Sequence, residues 1–244
     1  MIYITFEICS PAHKEAIGLE PMRESPNYEI ATAMFTLSIS IGAYSLANCI
    51  VFMVMLFGYT EAQILSLSEE LHNIWDDANK HIEGIVVDTT AKADVLNKFV
   101  ADRLKFIIKL HNENITLIAQ IESVLKISMA LEFLFLMAGL IAAMLGGIEN
   151  TYLEIPFALA QIFMNCYLGQ KIINASDTFE SAVYDCKWEN FNTSNMKTVL
   201  IMLQNSQKTM KLSAGGIAIL SFECLMSVIN SCYSFYTTLQ STLK

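Results

Sequence analysis

The chain has 244 residues, of which 54% are hydrophobic and only 16% are charged. Together with a mean hydropathy of +0.43, this composition excludes an ordinary soluble domain, whose surface needs far more polar residues. The net charge of −9 excludes a basic surface for nucleic acid, so the composition predicts a membrane protein held in a lipid bilayer.

The first predicted elements are an extracellular segment, 1–29, and a membrane-spanning helix, 30–60. The first segment lacks the basic start and the uninterrupted apolar core of a cleavable signal peptide, because Glu7 occurs early in it. The run 30–60 contains no charged residue, and about 20 apolar residues suffice to cross the hydrocarbon core of a bilayer. We therefore place the first span here.

A helical cytosolic region, 61–126, is predicted next, followed by a second span, 127–148, with Glu132 near its start. Apolar residues recur every three or four positions between 95 and 121, which is the period of a helix with one apolar face. Asn79 and Gly84 are end signals for an earlier helix, 61–78, in the same region. Almost no helix breaker separates the amphipathic pattern from the second span, so we expect one long helix that projects from the bilayer and needs helical neighbours.

Two further spans are predicted at 151–173 and 223–241, with a cytosolic region, 174–222, between them. Turn signals interrupt the helical pattern of that region around 190–195. Four spans place both termini on one side of the membrane. Seven Lys or Arg fall in 61–126 and five in 171–212, which leaves three of the fifteen elsewhere. Since basic residues accumulate in cytosolic loops, we expect both termini outside the cell.

The sequence lacks the residue patterns of a catalytic or metal site. Its four histidines never occur at HxxxH spacing, its six cysteines form no CxxC pair, and it contains no Gly-rich phosphate loop or nucleophile elbow. We therefore expect neither an enzyme nor a bound cofactor or metal ion.

Polar residues recur at helical spacing along the last span, where they would share one broad helix face: Ser227, Asn230, Ser231, Ser234, Thr237, Thr238 and Ser241. This polar stripe has two physical uses. It can form hydrogen bonds across a tight helix contact, or it can line a water-filled path between subunits. The composition of the stripe leaves both uses open.

The C-terminal half resembles the insect odorant receptor family. The family's cytosolic Trp, its S-Q-K, S-A-G-G and L-S motifs and its closing Y-S-x-x-T-x-L are matched in order by Trp188, 206–208, 213–216, 220–221 and 233–239. Upstream, the first span is similar to the family's fourth helix, Leu110 and His111 to a pair before its fifth helix, and 166–169 to part of its sixth. Gln170 departs from the pattern, because the family usually has an acid there.

This resemblance implies the all-α, multi-pass odorant-receptor channel fold, with long cytosolic helix extensions and the last four of the family's seven spans. The chain would then begin in the loop before the fourth helix, as an N-terminally truncated member. The resemblance further implies an odorant-gated, non-selective cation channel in the plasma membrane of an olfactory neuron dendrite, in a hetero-tetramer with a co-receptor. The segment 213–222 would belong to the cytosolic part of the last helix, and 223–241 would be the pore helix.

By the same resemblance, the expected pore-lining residues are Ser234, Thr237, Thr238 and Ser241. The expected pocket for a small volatile odorant includes three apolar residues in the outward halves of their helices, namely Phe35, Ile39 and Met137. Two other interpretations stay open. One is a gustatory receptor of the same superfamily, although the tail lacks the T-Y-x5-Q-F signature of such receptors. The other is a four-span accessory or scaffold protein without channel activity.

Overall fold

The computed structural model describes residues 25–83, 89–145 and 154–242. In these residues the chain forms five α-helices and one β-hairpin, with the following bounds: α1 Asn27–Glu83, α2 Thr89–Leu145, α3 Glu154–Tyr184, α4 Thr193–Ser206, β1 Ser213–Ala214, β2 Ala218–Ile219 and α5 Phe222–Thr242. The all-α class predicted from the sequence is confirmed. Most of the predicted segment 1–29, the helix-end signal at Gly84 and the predicted span ends at 146–148 and 151–153 lie outside the described residues.

Contacts divide the chain between Leu56 and Phe57 into two units, which are described separately. In the first unit, the structure describes the N-terminal part of α1. Large apolar side chains there are exposed, with Met34 at 54%, Tyr44 at 73% and Met55 at 69%. None of the most apolar 18-residue window of α1 is buried by the rest of the described chain. Because a continuous apolar surface of this kind is unfavourable in water, it indicates a helix that lies in lipid.

Two helices are long and apolar enough to cross a membrane by length and composition, α1 and the part of α2 from Lys92 to Met144. Only 22% of the most apolar window of α2 is buried, whereas an equally apolar core helix of a soluble protein is buried. The first two predicted spans lie in these helices. The other two predicted spans lie in α3 and α5, and their insertion into the membrane stays a prediction.

Both long helices continue through the predicted boundaries between membrane span and cytosolic region. The predicted helix end at 78 is wrong, because α1 continues through Asn79 to Glu83. Its last turn carries Lys80 and His81, where basic groups offset the partial negative charge of a helix C-terminus. α2 runs without interruption from Thr89 through the amphipathic segment into the second predicted span. The expectation of one long continuous helix is therefore confirmed.

The apolar stripes of α1, α2 and α3 form the core of the second unit. Ion pairs join these elements at the surface, since Arg103 of α2 lies 3.3 Å from Glu70 of α1, and Lys187, just after α3, lies 2.8 Å from Asp76 of α1. Burial of each core side chain contributes about 1.5 to 3 kcal/mol. The core side chains recur at helical spacing and are at most 4% exposed, among them Ile64, Leu67, Leu71, Ile74, Val100, Leu104, Ile107, Ile172, Phe179 and Val183.

The turn signals around 190–195 correspond to the start of α4. The Asn192 side chain accepts a hydrogen bond of 2.9 Å from the Asn195 backbone N–H and so caps the helix. The Asn195 side chain donates to the Asn97 carbonyl oxygen at 2.9 Å, and the Asn192 N–H donates to the Asn97 side chain at 3.0 Å. Asn97 of α2 thus fixes the position of α4.

The segment 213–222 does not continue the last helix, so the expectation taken from the resemblance is wrong for this segment. Its first residues form the antiparallel hairpin β1–β2. Gly215 and Gly216 have positive φ angles of 66° and 74°, and the Ile217 N–H donates to the Ala214 carbonyl oxygen at 3.2 Å. Positive φ at both central residues is typical of a type I′ turn, which glycine forms readily and which closes hairpins. The Gly-Gly pair therefore interrupts the helix, and α5 begins only after the hairpin.

Candidate functional site

The polar stripe of the last predicted span lies on the exposed face of α5. The opposite face is buried, with Val228 at 9% and Cys232 at 2% exposure, and α5 contacts α2 and α3. Within the described part of the chain, the stripe is therefore not a packing surface. We name it the polar face of α5, and all seven of its residues are exposed: Ser227, Asn230, Ser231, Ser234, Thr237, Thr238 and Ser241.

The structure brings together the four residues expected to line a pore, because all of them lie on the polar face. The Thr237 and Thr238 hydroxyls each donate a hydrogen bond of 2.9 Å to the Ser234 carbonyl oxygen. The Ser241 hydroxyl donates to the Thr238 carbonyl oxygen at 2.7 Å. A hydroxyl that gives its proton to the helix backbone presents its oxygen as an acceptor. The end of α5 thus carries a row of acceptor oxygens, which can coordinate cations or water.

The start of α5 also has a polar, open surface. Glu223 is exposed in the first turn, where the helix dipole favours a carboxylate. The Ser221 hydroxyl oxygen accepts a hydrogen bond of 3.2 Å from the Cys224 N–H and caps the helix. An open groove of about 730 Å³ runs from Glu223 along the polar face to Thr238. The groove gives water or a second chain access to the face over most of its length.

The start of α5 packs closely against α3. A Cβ atom on Gly169 would lie 2.3 Å from the Leu220 carbonyl oxygen and 2.5 Å from Leu220 Cβ, so the two backbones approach too closely for any side chain at this position. The Phe222 N–H donates to Oε1 of Gln170 at 3.2 Å. Gln170 is the position where the resembled family usually has an acid, and a carboxylate oxygen would accept the same hydrogen bond. We name these four residues the α3–α5 junction.

The hairpin attaches the start of α5 to α2 as well. The Ser213 hydroxyl donates to the Glu122 carboxylate, and the Gly215 N–H donates to the Lys126 carbonyl oxygen at 2.7 Å. A Cβ atom on Gly215 would lie 3.2 Å from Ala130 Cβ, so the hairpin lies close to the α2 backbone. The first turn of α5 is therefore attached to α2 as well as to α3.

A carboxylate in the second predicted span accepts two amide hydrogen bonds from α3. Glu132 Oε1 lies 2.8 Å from Gln161 Nε2 and 2.9 Å from Asn165 Nδ2. Amide donors replace some of the hydration that a carboxylate would lose in a membrane. Sequence reasoning found Glu132 but missed its partners. The only local signal was the four-residue spacing of Gln161 and Asn165, which places both amides on one face of a helix.

The residues expected to contact an odorant are divided between the two units. Phe35 and Ile39 are half-buried and lie one helical turn apart on the same face of α1, in the first unit. Met137 is half-buried in α2, in the second unit. Because the two units are described separately, the grouping of these three residues in one pocket stays a prediction.

A buried histidine lies in the core of the second unit. The His111 ring stacks on Phe179, with centroids 4.0 Å apart, and is 6% exposed. Among the described residues, Nδ1 of His111 and Nδ2 of Asn114 have no hydrogen-bond partner. Burial lowers the pKa of His111 to about 4, so the ring is neutral at pH 7. The buried ring, stacked on Phe179, packs in the core of the second unit.

Sequence comparisons find relatives among odorant receptors. A family model described as 7tm Odorant receptor matches residues 10–233. The chain is 29% identical to an odorant receptor coreceptor of Aedes aegypti over 83 residues. These aligned residues make up 34% of this chain and 17% of that protein. The chain is also 28% identical to odorant receptor 30a of Drosophila melanogaster over 97 residues. This alignment covers 38% of this chain and 26% of that protein. The matched regions are thus a minor part of these relatives.

The fold is similar to that of a solved structure, the insect olfactory receptor OR5 from Machilis hrabei in complex with eugenol. The TM-score is 0.74 at 13% sequence identity, and the similarity covers 92% of this chain and 56% of that chain. The similarity shows that the two chains share a fold. The chain spans about half the length of the structure that it matches.

Proposed function

Because the chain belongs to the 7tm odorant receptor family, we propose that it is a subunit of an odorant-gated, non-selective cation channel that acts with a co-receptor in the sense of smell. The single observation that carries this proposal is the exposed polar face of α5. Polar side chains on a membrane helix need water or another polar surface beside them. These side chains are exposed, and a water-filled path between subunits meets this need.

The hydroxyl oxygens of the polar face suit the passage of alkali cations. Ser and Thr oxygens can replace part of the hydration shell of an ion, and their partial charges are too small to trap it. In this proposal Ser234, Thr237, Thr238 and Ser241 line the narrow part of the path. Glu223, exposed in the first turn of the same helix, adds a negative charge that attracts cations and repels anions.

Exposed apolar side chains on the predicted cytosolic helices support assembly into a hetero-tetramer with the co-receptor. Phe106 of α2 is 50% exposed, and Leu200 and Ile201 of α4 are 66% and 60% exposed. Apolar side chains of this size at a water-facing surface are typical of subunit contacts. In the proposed assembly, neighbouring subunits cover these side chains, and one α5 from each subunit faces the central path.

The proposed ligand is a small volatile odorant, held mainly by burial against apolar side chains in the outward halves of the helices. Phe35, Ile39 and Met137 are half-buried apolar residues of this kind. The proposed location is the plasma membrane of an olfactory neuron dendrite, where the apolar surfaces of α1 and α2 would face lipid.

Thiol accessibility on the polar face tests the proposal. The chain, with any coding sequence that precedes it, is expressed beside a co-receptor in voltage-clamped cells, and Cys224 and Cys232 are first replaced by Ser. A charged, water-soluble thiosulfonate reagent is then applied to Thr238→Cys while odorant is present. We expect the current to change irreversibly, because the thiol would face the water-filled path. Val228→Cys, on the buried face of the same helix, is the matched control and should not respond.

A bulky substitution distinguishes a water-filled path from a packed helix contact. Thr238→Phe in a water-filled path would reduce the current while surface expression stays normal. At a packed contact the same change would lower surface expression, because overpacking costs about 1 to 3 kcal/mol. Unchanged currents, ion selectivity and thiol modification at Ser234, Thr237, Thr238 and Ser241 would show that the polar face is a packing surface, and the chain would then be an accessory subunit.

A further inference from the structure

A half-enclosed cavity of about 310 Å³ lies between α1, α3 and α5 in the second unit. This volume is at the lower end of the range for small-molecule sites, which is about 300 to 1,000 Å³. The cavity shares no lining residue with the groove along the polar face of α5. We name it the α1–α3–α5 cavity, and its charged, amide and aromatic lining residues are Glu61, Tyr167, Gln170, Lys171, Asn174 and Phe222.

One cation and one anion lie side by side in the cavity. Nζ of Lys171 donates a hydrogen bond of 3.0 Å to Oε2 of Glu61, and the two side chains are 38% and 19% exposed. An ammonium group has three N–H donors and a carboxylate has several acceptor sites, so each partner can bind a further group. The two charges cancel, and the other lining residues are uncharged. The cavity therefore suits a ligand that carries one positive and one negative group.

Aromatic rings form the wall beside this ion pair. The Lys171 ammonium group lies 5.5 Å from the centroid of the Tyr167 ring. The Phe222 and Phe163 ring centroids lie 6.4 Å and 5.9 Å from that of Tyr167. Aromatic faces attract primary and quaternary ammonium groups. The rings next to the Glu61 carboxylate are therefore a suitable surface for the positive end of a ligand.

Amide groups of α3 complete the polar lining. Gln170 donates from Nε2 to Oδ1 of Asn174 at 2.8 Å, and its Oε1 accepts from the Phe222 N–H at 3.2 Å. Since Asn174 uses its oxygen in this contact, its own amide N–H groups remain as donors. Lys171 and Asn174 lie three residues apart, on the same side of α3. Their N–H groups together suit the negative end of a ligand.

The sequence places the cavity at the predicted cytosolic edge of the membrane. Glu61 directly follows the first predicted span, Lys171 lies near the cytosolic end of the third, and Phe222 directly precedes the fourth. Phe163 lies about one turn before Tyr167 on α3 and is 47% exposed, so it extends the aromatic surface towards the middle of the bilayer. Aromatic rings of this kind are enriched at the level of lipid headgroups. A phospholipid therefore has access to the cavity from the membrane.

We propose that the α1–α3–α5 cavity binds the headgroup of a zwitterionic phospholipid. The phosphate accepts hydrogen bonds from Lys171 and Asn174. The ammonium group lies between the Glu61 carboxylate and the rings of Tyr167 and Phe222. An anionic lipid fits less well, because Glu61 repels a phosphate that has no ammonium group beside it. The inference depends on the predicted spans and is independent of the proposed channel activity.

Native mass spectrometry of the purified whole chain tests the proposal, because it counts the lipid molecules that the chain retains. The chain is incubated in detergent with phosphatidylcholine, phosphatidylethanolamine or phosphatidylglycerol at equal concentrations. We expect each zwitterionic lipid to be retained about five-fold more than phosphatidylglycerol, as for one part-exposed ion pair. Equal retention of the three lipids, or a preference of the wild type for phosphatidylglycerol, overturns the proposal.

Two charge variants give a pattern that a purely structural ion pair would not produce. Glu61→Gln makes the lining positive and should invert the preference, so that phosphatidylglycerol is retained more than phosphatidylcholine. This variant keeps an oxygen that accepts from Lys171, so the contact between α1 and α3 is preserved. Lys171→Gln makes the lining negative and should reduce retention of both lipids, and of phosphatidylglycerol most. An unchanged preference in Glu61→Gln overturns the proposal.

Glu70→Gln is the matched control for Glu61→Gln. It removes the same charge from α1 and also breaks an ion pair between helices, since Glu70 lies 3.3 Å from Arg103 of α2. Glu70 does not line the cavity, so this variant should keep the wild-type preference. The same inversion in Glu70→Gln would show that net charge alone selects the lipid, and the cavity assignment would fail.

A water-soluble headgroup distinguishes a membrane lipid from a free zwitterion. Glycerophosphocholine carries the same phosphate and quaternary ammonium group as phosphatidylcholine but has no acyl chains. At an equal concentration it should displace little of the retained phosphatidylcholine, because it buries no apolar chain along α3. Complete displacement would show that the cavity takes a soluble zwitterion, and the assignment to a membrane lipid would be wrong.

Discussion

Replacing Gly169 by Ala tests how closely α5 must approach α3. The added methyl carbon would lie 2.3 Å from the Leu220 carbonyl oxygen and 2.5 Å from Leu220 Cβ, whereas such atoms normally approach to about 3.5 Å. The carbonyl oxygen and Cβ are fixed to the backbone and cannot rotate away. Relief of the contact therefore needs the two backbones to separate by roughly 1 Å.

The expected loss of stability follows from this displacement. Backbone shifts forced by an added methyl group in a packed site cost about 1 to 3 kcal/mol, while Ala gains about 1 kcal/mol over Gly inside a helix. Gly139→Ala is the matched control, because Gly139 lies within α2 and nothing lies within 4 Å of its Cβ position. Since helix propensity is common to both substitutions, the two variants should differ by about 1 to 3 kcal/mol.

Thermal unfolding in detergent, followed by fluorescence-detected size-exclusion chromatography, measures this difference. For a chain of this size, 1 kcal/mol corresponds to about 2 to 4 °C in Tm. Gly169→Ala should therefore melt several degrees below Gly139→Ala. If Gly169→Ala melts at or above the control, the close approach of Leu220 to α3 is not needed for stability, and the junction is looser than its geometry indicates.

Three further changes test other parts of the structure. Asn192→Ala removes the N-cap of α4 and should cost about 1 kcal/mol of stability, seen as a lower Tm. Glu132→Ala leaves the Gln161 amide without its acceptor and should cost about 1 to 3 kcal/mol, while Glu132→Gln, which keeps one acceptor oxygen, should cost less. Burial holds the pKa of His111 at about 4 in place of 6.5, so the folded state resists protonation. The contribution of this neutral ring to stability is present above pH 6.5 and is lost as the pH falls towards 4. His111→Phe should flatten Tm against pH in this range, and equal slopes in both proteins would contradict the reasoning.

The long helices were predictable because their signals are local in sequence. An uncharged run and a three-to-four-residue apolar period involve neighbouring residues only. The hairpin was predicted wrongly because its segment is apolar like the span that follows it, and the resemblance assigned it to the same helix. The Gly215-Gly216 pair is itself a local turn signal, and reading it alone would have favoured the hairpin over helix.

The candidate site was predictable in part for the same physical reason. Spacing along one helix fixes which residues share a face, so the polar face of α5 followed from the sequence. The partners of Glu132 lie on another helix, and only the packing of α3 against α2 brings them together. Sequence spacing carries no information on such contacts.

The length of α2 has a mechanical consequence. Asn97, which holds the start of α4, lies about 45 Å along the helix from the predicted membrane edge at Lys126. A stiff rod that pivots at that edge by about 5° moves its distal end by about 4 Å over this length. A tilt too small to disturb side-chain packing in the bilayer thus becomes, at α4, a displacement of roughly three quarters of the pitch of a helical turn.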